Sequence, residues 1–155
     1  MDATETGTID VLVIGTDPPC PRCDLLGLRA HEAAEALERP VTIRHCFFFS
    51  PEAEAVGQAA GRQIGTPPQV AEKAGITVDW DRRDGLVAER RRVVGTEARA
   101  AETWTPALDA LLDPCRQAAD AVGFFMTPIL VVNGTVKHHG SVPTVEEIRG
   151  WLSSV

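Results

Sequence analysis

The chain has 155 residues, of which 44% are hydrophobic and 24% charged, with a net charge of −7, and a chain of that size and composition buries a core without covalent staples. An acidic surface repels polyanions, which excludes general nucleic-acid binding and docking on acidic membranes. The opening MDATETGTID lacks the basic and apolar regions of a secretion signal and no apolar run approaches the roughly 18 residues of a membrane span. The expected setting is therefore cytoplasmic, where the four cysteines point to chemistry or metal rather than to crosslinks.

Ile9 to Ile14, IDVLVI, is a nearly continuous apolar run closed by Gly15, the pattern of a strand buried on both faces in the middle of a sheet. After GTDPP, Cys20 and Cys23 enclose Pro21 and Arg22. Behind them Leu26, Ala30, Ala33, Ala34 and Leu37 recur at helical spacing, while Arg29, Glu32, Glu35 and Glu38 can face water. Pro40 stops this helix. Val41 to Phe49, VTIRHCFFF, sets Val41, Ile43, His45 and Phe47 against Thr42, Arg44, Cys46 and Phe48 and ends at Ser50-Pro51, which predicts a second strand. The chain thus opens β-α-β, the unit of parallel pairing.

From Pro51 to Met126 the chain runs far longer than the roughly dozen residues a crossover needs, and residues 51–114 read as a mainly helical insertion before the third strand. Thr66-Pro67, Thr105-Pro106 and Asp113-Pro114 each set a capping residue ahead of a proline suited to a first helical position, predicting three short helices, with Gly75 and Gly123 as stops. GITVDWDRRDG fits a strand or an ordered loop. ERRRVVG, Glu89 to Gly95, reads as a solvated helix face, and Trp80 and Trp104 as packing the insertion onto the core.

Pro128 to Val132 is the third strand, Asn133-Gly134 a hairpin turn, and Thr135 to His139 the antiparallel return. His138 and His139 then fall on opposite faces, a poor geometry for holding one ion. Thr144 with Glu147 forms a capping box, and Val145, Ile148, Trp151 and Leu152 make the buried stripe of a last helix. The chain closes β-β-α.

With Pro21 at the first helical position, Cys20 becomes the N-cap and Cys23 lies one turn inside. Free amide donors and the positive end of the helix dipole favour an anion there, and a thiolate is one. Arg22 adds positive charge between the sulfurs while Asp17 and Asp24 oppose it. Cys20, ahead of the helix proper, is expected to attack a disulfide and Cys23 to resolve the mixed disulfide. Half of a zinc site is the rival reading of the pair, although the second close ligand pair is missing. Cys46 and Cys115 are solitary and read as small buried hydrophobes.

This order of elements, with PCPRC at a helix start and MTPILVVNGTVKHHGSVPTVEEIRGWL at the end, resembles the thioredoxin superfamily, and within it the small redox-active disulfide proteins. The resemblance spans residues 9–50 and 115–155 and implies an α/β, three-layer β-α-β … β-β-α fold. Residues 1–155 would form one domain that contains the insertion. It implies that Thr127-Pro128 is a cis-proline turn facing the cysteines, with the backbone before the proline free to pair with an extended substrate. It implies a thiol-disulfide oxidoreductase in which Cys20 and Cys23 are catalytic and Pro21, Arg22, Thr127 and Pro128 support them. The substrate would be a protein or small-molecule disulfide, and the electron donor a thiol or disulfide reductase. No cofactor is expected, since neither a dinucleotide nor a phosphate-loop pattern occurs. The chain departs from thioredoxin in having Pro19 before the first cysteine, Pro-Arg between the pair, and only Asp10 as an acid in the preceding strand. A thioredoxin-like scaffold whose cysteines hold a soft metal or metalloid, and a redox-inert interaction module, are the alternatives.

Overall fold

The structure, a computed structural model, describes residues 7–155. The apolar run Ile9–Gly15 is strand β1, followed by helix α1 (Pro21–Glu35) and strand β2 (Val41–Phe47). Ile129–Val132 (β5) and Thr135–His139 (β6) form the hairpin around Asn133, and Val145–Ser153 is helix α6. These strands build a four-stranded sheet in the order β2-β1-β5-β6. β1 pairs parallel with β2 and antiparallel with β5, so it is central, in keeping with its nearly continuous apolar run.

Alternation along β1 and β5 divides the core into two faces. Ile9, Val11, Val13, Leu130 and Val132 pack against Leu26 and Ala30 of α1 and Ile148 and Leu152 of α6. Leu12, Ile14, Ile129 and Val131 pack on the opposite face against Ala53 and Phe125. Burying each large apolar side chain is worth roughly 1.5–3 kcal/mol, so the two faces together hold the sheet between its covering layers. The last helix starts as its capping box predicts, with Thr144 Oγ1 accepting the Glu147 amide at 3.1 Å and Glu147 Oε1 accepting the Thr144 amide at 3.1 Å.

The stretch between the two halves contains helix α2 (Pro51–Ala59), strand β3 (Gln63–Gly65), helices α3 (Pro67–Ala74) and α4 (Trp80–Val94), a 3-10 turn (Ala100–Thr103), helix α5 (Pro106–Ala119) and strand β4 (Phe124–Met126). The helix starts at Thr66-Pro67 and Thr105-Pro106 are found, and Gly75, at φ 71°, ends α3 in the left-handed conformation. Three features differ from the sequence expectation. The second strand stops at Phe47, short of the expected Phe49, and Ser50-Pro51 instead opens α2, the Ser50 hydroxyl accepting the Ala53 amide at 3.2 Å. GITVDWDRRDG is neither strand nor loop throughout, because Asp79 accepts the Arg82 amide at 2.9 Å and caps α4. Asp113-Pro114 does not begin a helix: α5 runs through Pro114, so a boundary at residue 114 falls inside an element.

The reason lies in packing. Leu108, Leu112, Cys115 and Ala119 form one buried stripe along α5, and that continuous face outweighs the backbone bond that proline cannot make. The short strands β3 and β4, which carry no legible periodicity, pair parallel as Gln63 with Phe124, Ile64 with Phe125 and Gly65 with Met126. They fasten the start of the insertion to the segment that leads into Pro128. Among the described residues, no helix is long and apolar enough to cross a membrane.

Pro114 is exposed, so Pro114→Ala restores the missing amide without disturbing the core. It should stabilise the protein by about 1–3 kcal/mol in urea unfolding; no change or a loss would mean that α5 is not a continuous helix.

Candidate active site

The loop after β1 is folded by Thr16, whose hydroxyl accepts the Cys20 amide at 2.9 Å and donates to the Pro18 carbonyl at 3.0 Å. Cys20 is thereby held extended (φ −71°, ψ 169°) as the N-cap of α1, with Pro21 at the first turn. Its carbonyl accepts the Asp24 amide at 2.9 Å, the first bond of the helix, and its sulfur accepts the Cys23 amide at 3.3 Å. The two sulfurs are 3.0 Å apart and hydrogen-bonded. Cys20 is partly exposed, while Cys23 is only 3% exposed. Gly15 makes the burial of Cys23 possible: a Cβ there would lie 2.7 Å from the Cys23 sulfur.

This geometry drives the two thiols apart. Cys20 is pulled down from 9.0 to about 6, first by the hydrogen bond that Cys23 gives its thiolate. The Cys23 amide, the Arg22 charge and the Arg22 amide add to this, and burial opposes it. Cys23 is pushed far above the ordinary thiol range, because its proton is committed to Cys20, it is buried, and its neighbour is negative. Asp24, expected to counteract the thiolate, is itself neutralised: Arg99 donates to its two oxygens at 2.8 and 2.6 Å and the Ala101 amide at 2.9 Å. The Arg99 bonds hold the Asp24 carboxyl below its usual range.

Arg22 differs most from its sequence reading. It is 3% exposed, and its charge lowers the Cys20 pKa less than Cys23 does. Its guanidinium donates from Nε to Asp109 Oδ1 at 2.6 Å, from Nη1 to the Thr127 carbonyl at 3.2 Å, and from Nη2 to the Gly140 carbonyl. The other oxygen of Asp109 accepts the Val142 amide at 2.9 Å. Arg22 therefore acts mainly as a clamp that positions the cysteine helix against the turn at Pro128, the end of β6 and helix α5. Asp109, a lone acid on an insertion helix, has no sequence signal that would mark it as the partner. Thr16 was also passed over, although a hydroxyl four residues before a capping cysteine fits a loop-folding role.

Thr127-Pro128 is a cis peptide, as is Asp17-Pro18. The Thr127 backbone, however, is not free. Its amide donates to the Gly65 carbonyl at 2.9 Å and its carbonyl accepts from Arg22. The insertion, through β3, occupies the edge where an extended substrate was expected to pair. Between this turn, the start of α1 and helices α3 to α5 lies a cavity of about 740 Å³, onto which Cys20 and Thr127 both open.

The remaining candidates fall outside the site. Cys46 packs with Phe48 on the sheet face opposite α1 and Cys115 is buried in α5, and burial raises both thiols. His138 stacks on Trp151, whereas His139 Nδ1 accepts the Met126 amide at 3.1 Å and its ring meets Phe125, so the two do point to opposite faces. Trp80 packs beside the α3–α5 cluster, and Trp104 lies under the Arg29 guanidinium. Asp10 is bound by Arg44 at 3.0 Å near the far end of β1. Five residues at about 3.3 Å each separate it from Gly15, too far to serve Cys23 as a base. Among the described residues, no three His, Cys, Asp or Glu side chains come together as a metal cluster.

Residues 113–153, which include Thr127-Pro128, the hairpin and α6, match a family model described as a thioredoxin domain. That segment is similar to a thioredoxin domain, and the α/β fold is thioredoxin-like. No curated protein matches the chain. The matched segment does not include Cys20 or Cys23, so in this thioredoxin-like fold the role of that pair rests on the geometry just described.

Because the folded Cys20 thiol ionises at about 6 and the unfolded one near 9.0, the reduced protein should gain stability as pH rises between those values and lose it as pH falls through 6. Between pH 6 and 8 the gain is up to about 2 kcal/mol, read by urea unfolding under reductant; Cys20→Ala should remove it, and an identical slope in that variant would refute the assignment. A second expectation concerns the clamp. Arg22→Met strands the Asp109 carboxylate and should cost roughly 3 kcal/mol. Adding Asp109→Asn, which keeps an acceptor for Val142, should recover part of that loss; strictly additive losses would show that the two residues do not form a unit.

Proposed function

We propose that the protein is a thiol-disulfide oxidoreductase that cycles between a Cys20–Cys23 dithiol and disulfide. One observation carries the reading: a partly exposed thiol held at about 6 sits 3.0 Å from a buried thiol that keeps its proton. At neutral pH the first sulfur is the nucleophile and the second is protected until needed. Cys20 attacks a target disulfide, one thiolate leaves, and a mixed disulfide forms. With Cys20 no longer an anion, Cys23 loses the two influences that came from it, ionises and attacks the Cys20 sulfur. The second thiol leaves and the internal disulfide closes. Pro21 sets the helix start, Arg22 holds it, and Thr127-Pro128 form the opposite wall. In a cytoplasmic setting a thiol or disulfide reductase returns the pair to the dithiol.

Iodoacetamide alkylation of the reduced protein across pH tests this reading. Cys20 should react with a midpoint near 6, and Cys23→Ala, which removes the first cause of the depression, should move the midpoint up toward the ordinary thiol value. Mild oxidation should close a Cys20–Cys23 disulfide that dithiothreitol reopens, and Cys23→Ser should accumulate mixed disulfide on Cys20. An ordinary midpoint at Cys20, or a pair that resists oxidation, would defeat the proposal.

A further inference from the structure

The cavity beside Cys20 narrows the substrate class, on the premise that the pair exchanges disulfides. Its volume of about 740 Å³ lies within the roughly 300–1,000 Å³ of small-molecule sites. The walls are apolar, formed by Pro67 and Pro68 of α3, Val87 of α4, and Leu108 and Leu112 of α5. Polar character is confined to a few groups, chiefly Arg83, Asp84 and Arg91 along one face of α4. Arg83 is paired with Asp84 at 3.1 Å. Arg91 instead donates to the neutral carbonyl of Ala98 at 2.9 Å, so its charge is not cancelled by that bond and the α4 wall offers a guanidinium to an anionic group.

The usual route for a peptide is closed at the same place. Strand addition needs a free amide and carbonyl on the receiving edge, and at Thr127 both are taken, by Gly65 and Arg22. A compact molecule needs neither. It needs a pocket for its bulk, a cation for its charge and a sulfur within reach of Cys20, and the cavity supplies all three.

We propose that this cavity is a substrate subsite, and that the substrate is a small disulfide with an apolar arm of aryl size and an acidic group directed to Arg91. The arm occupies the space between Val87, Leu108 and Leu112 while Cys20 attacks the sulfur to which it is attached. The substrate disulfide breaks, its other half leaves as a thiolate that takes a proton from water, and a Cys20 mixed disulfide forms. Attack by Cys23 on the Cys20 sulfur then expels the arm as a second thiol. One substrate disulfide is reduced to two thiols, and the protein dithiol is oxidised to one disulfide by the same two electrons.

Stopped-flow oxidation of the reduced protein by three probes tests this. The probes are 5,5′-dithiobis(2-nitrobenzoate), which is aromatic and acidic, 4,4′-dithiodipyridine, which is aromatic and neutral, and bis(2-hydroxyethyl) disulfide, which is small and polar. Each rate is divided by that of the same disulfide with dithiothreitol, to remove leaving-group differences. The acidic aryl probe should lead the hydroxyethyl probe by at least tenfold, with a rate that saturates with concentration. Val87→Trp, or Ala88→Trp at an exposed position should the first fail to fold, should reduce that lead at least tenfold. Arg91→Gln should lower the lead of the acidic probe over the dipyridyl one. Equal normalised rates, or a lead untouched by the tryptophan variants, would overturn the subsite; a lead untouched by Arg91→Gln would overturn the acidic group. Should none of the probes close the Cys20–Cys23 disulfide, the oxidoreductase reading itself falls, an outcome distinct from uniform reactivity with all three.

Discussion

A buried guanidinium cannot be left without partners, and the end of the protein that carries Cys20 and Cys23 is organised around satisfying one. Arg22 lies between the two cysteines in sequence, yet its bonds reach Asp109 on α5, the carbonyl of Thr127 and the carbonyl of Gly140. Withdrawing a charge from water costs several kcal/mol, and only well-placed acceptors repay it. The cost is met when the helix start, the proline turn, the end of the hairpin and the insertion stand in one arrangement. Asp109 extends the network by accepting from Val142 with its second oxygen.

That arrangement determines what the sulfurs can do. The Cys20 sulfur accepts hydrogen bonds from the Cys23 thiol and the Cys23 amide because the first turn of α1 is formed and anchored. Cys23 is sealed because Gly15 allows the end of β1 to approach it closely. The acid most able to oppose the thiolate, Asp24, is bound from across the chain by Arg99 and the 3-10 turn. Residues far apart in sequence thus lower the pKa of one thiol and raise that of the other.

The insertion has a double effect on access. By pairing β3 with β4 and giving the Gly65 carbonyl to Thr127, it fills the edge of the proline turn from within the chain. By laying α3, α4 and α5 around the start of α1, it replaces that open edge with a walled space. Beside Cys20 the chain thus presents an enclosed volume, while the backbone edge at Thr127 is taken up internally.

Much of the framework was legible because it depends on local pattern. The nearly continuous apolar run Ile9 to Ile14 marked a central strand, the Asn133-Gly134 turn a hairpin, and Thr144 with Glu147 a helix start. Cys20 as a capping residue followed from Pro21 alone. The parts that escaped lack a local signature. Three-residue strands are too short to show a period, Asp109 is one acid among many, and Pro114 signals a helix start that the stripe from Leu108 to Ala119 overrides. The amino-acid order by itself determined the four strands of the main sheet and the helix beginning at the cysteines, since capping and hydrophobic period act over a few residues, while the turn at Pro128 was implied by the family resemblance. Only the tertiary structure decided that Arg22 is a clamp, that the Thr127 edge is closed and that Cys20 faces an enclosed space, because charge pairing, edge pairing and cavity shape arise between segments the chain keeps far apart.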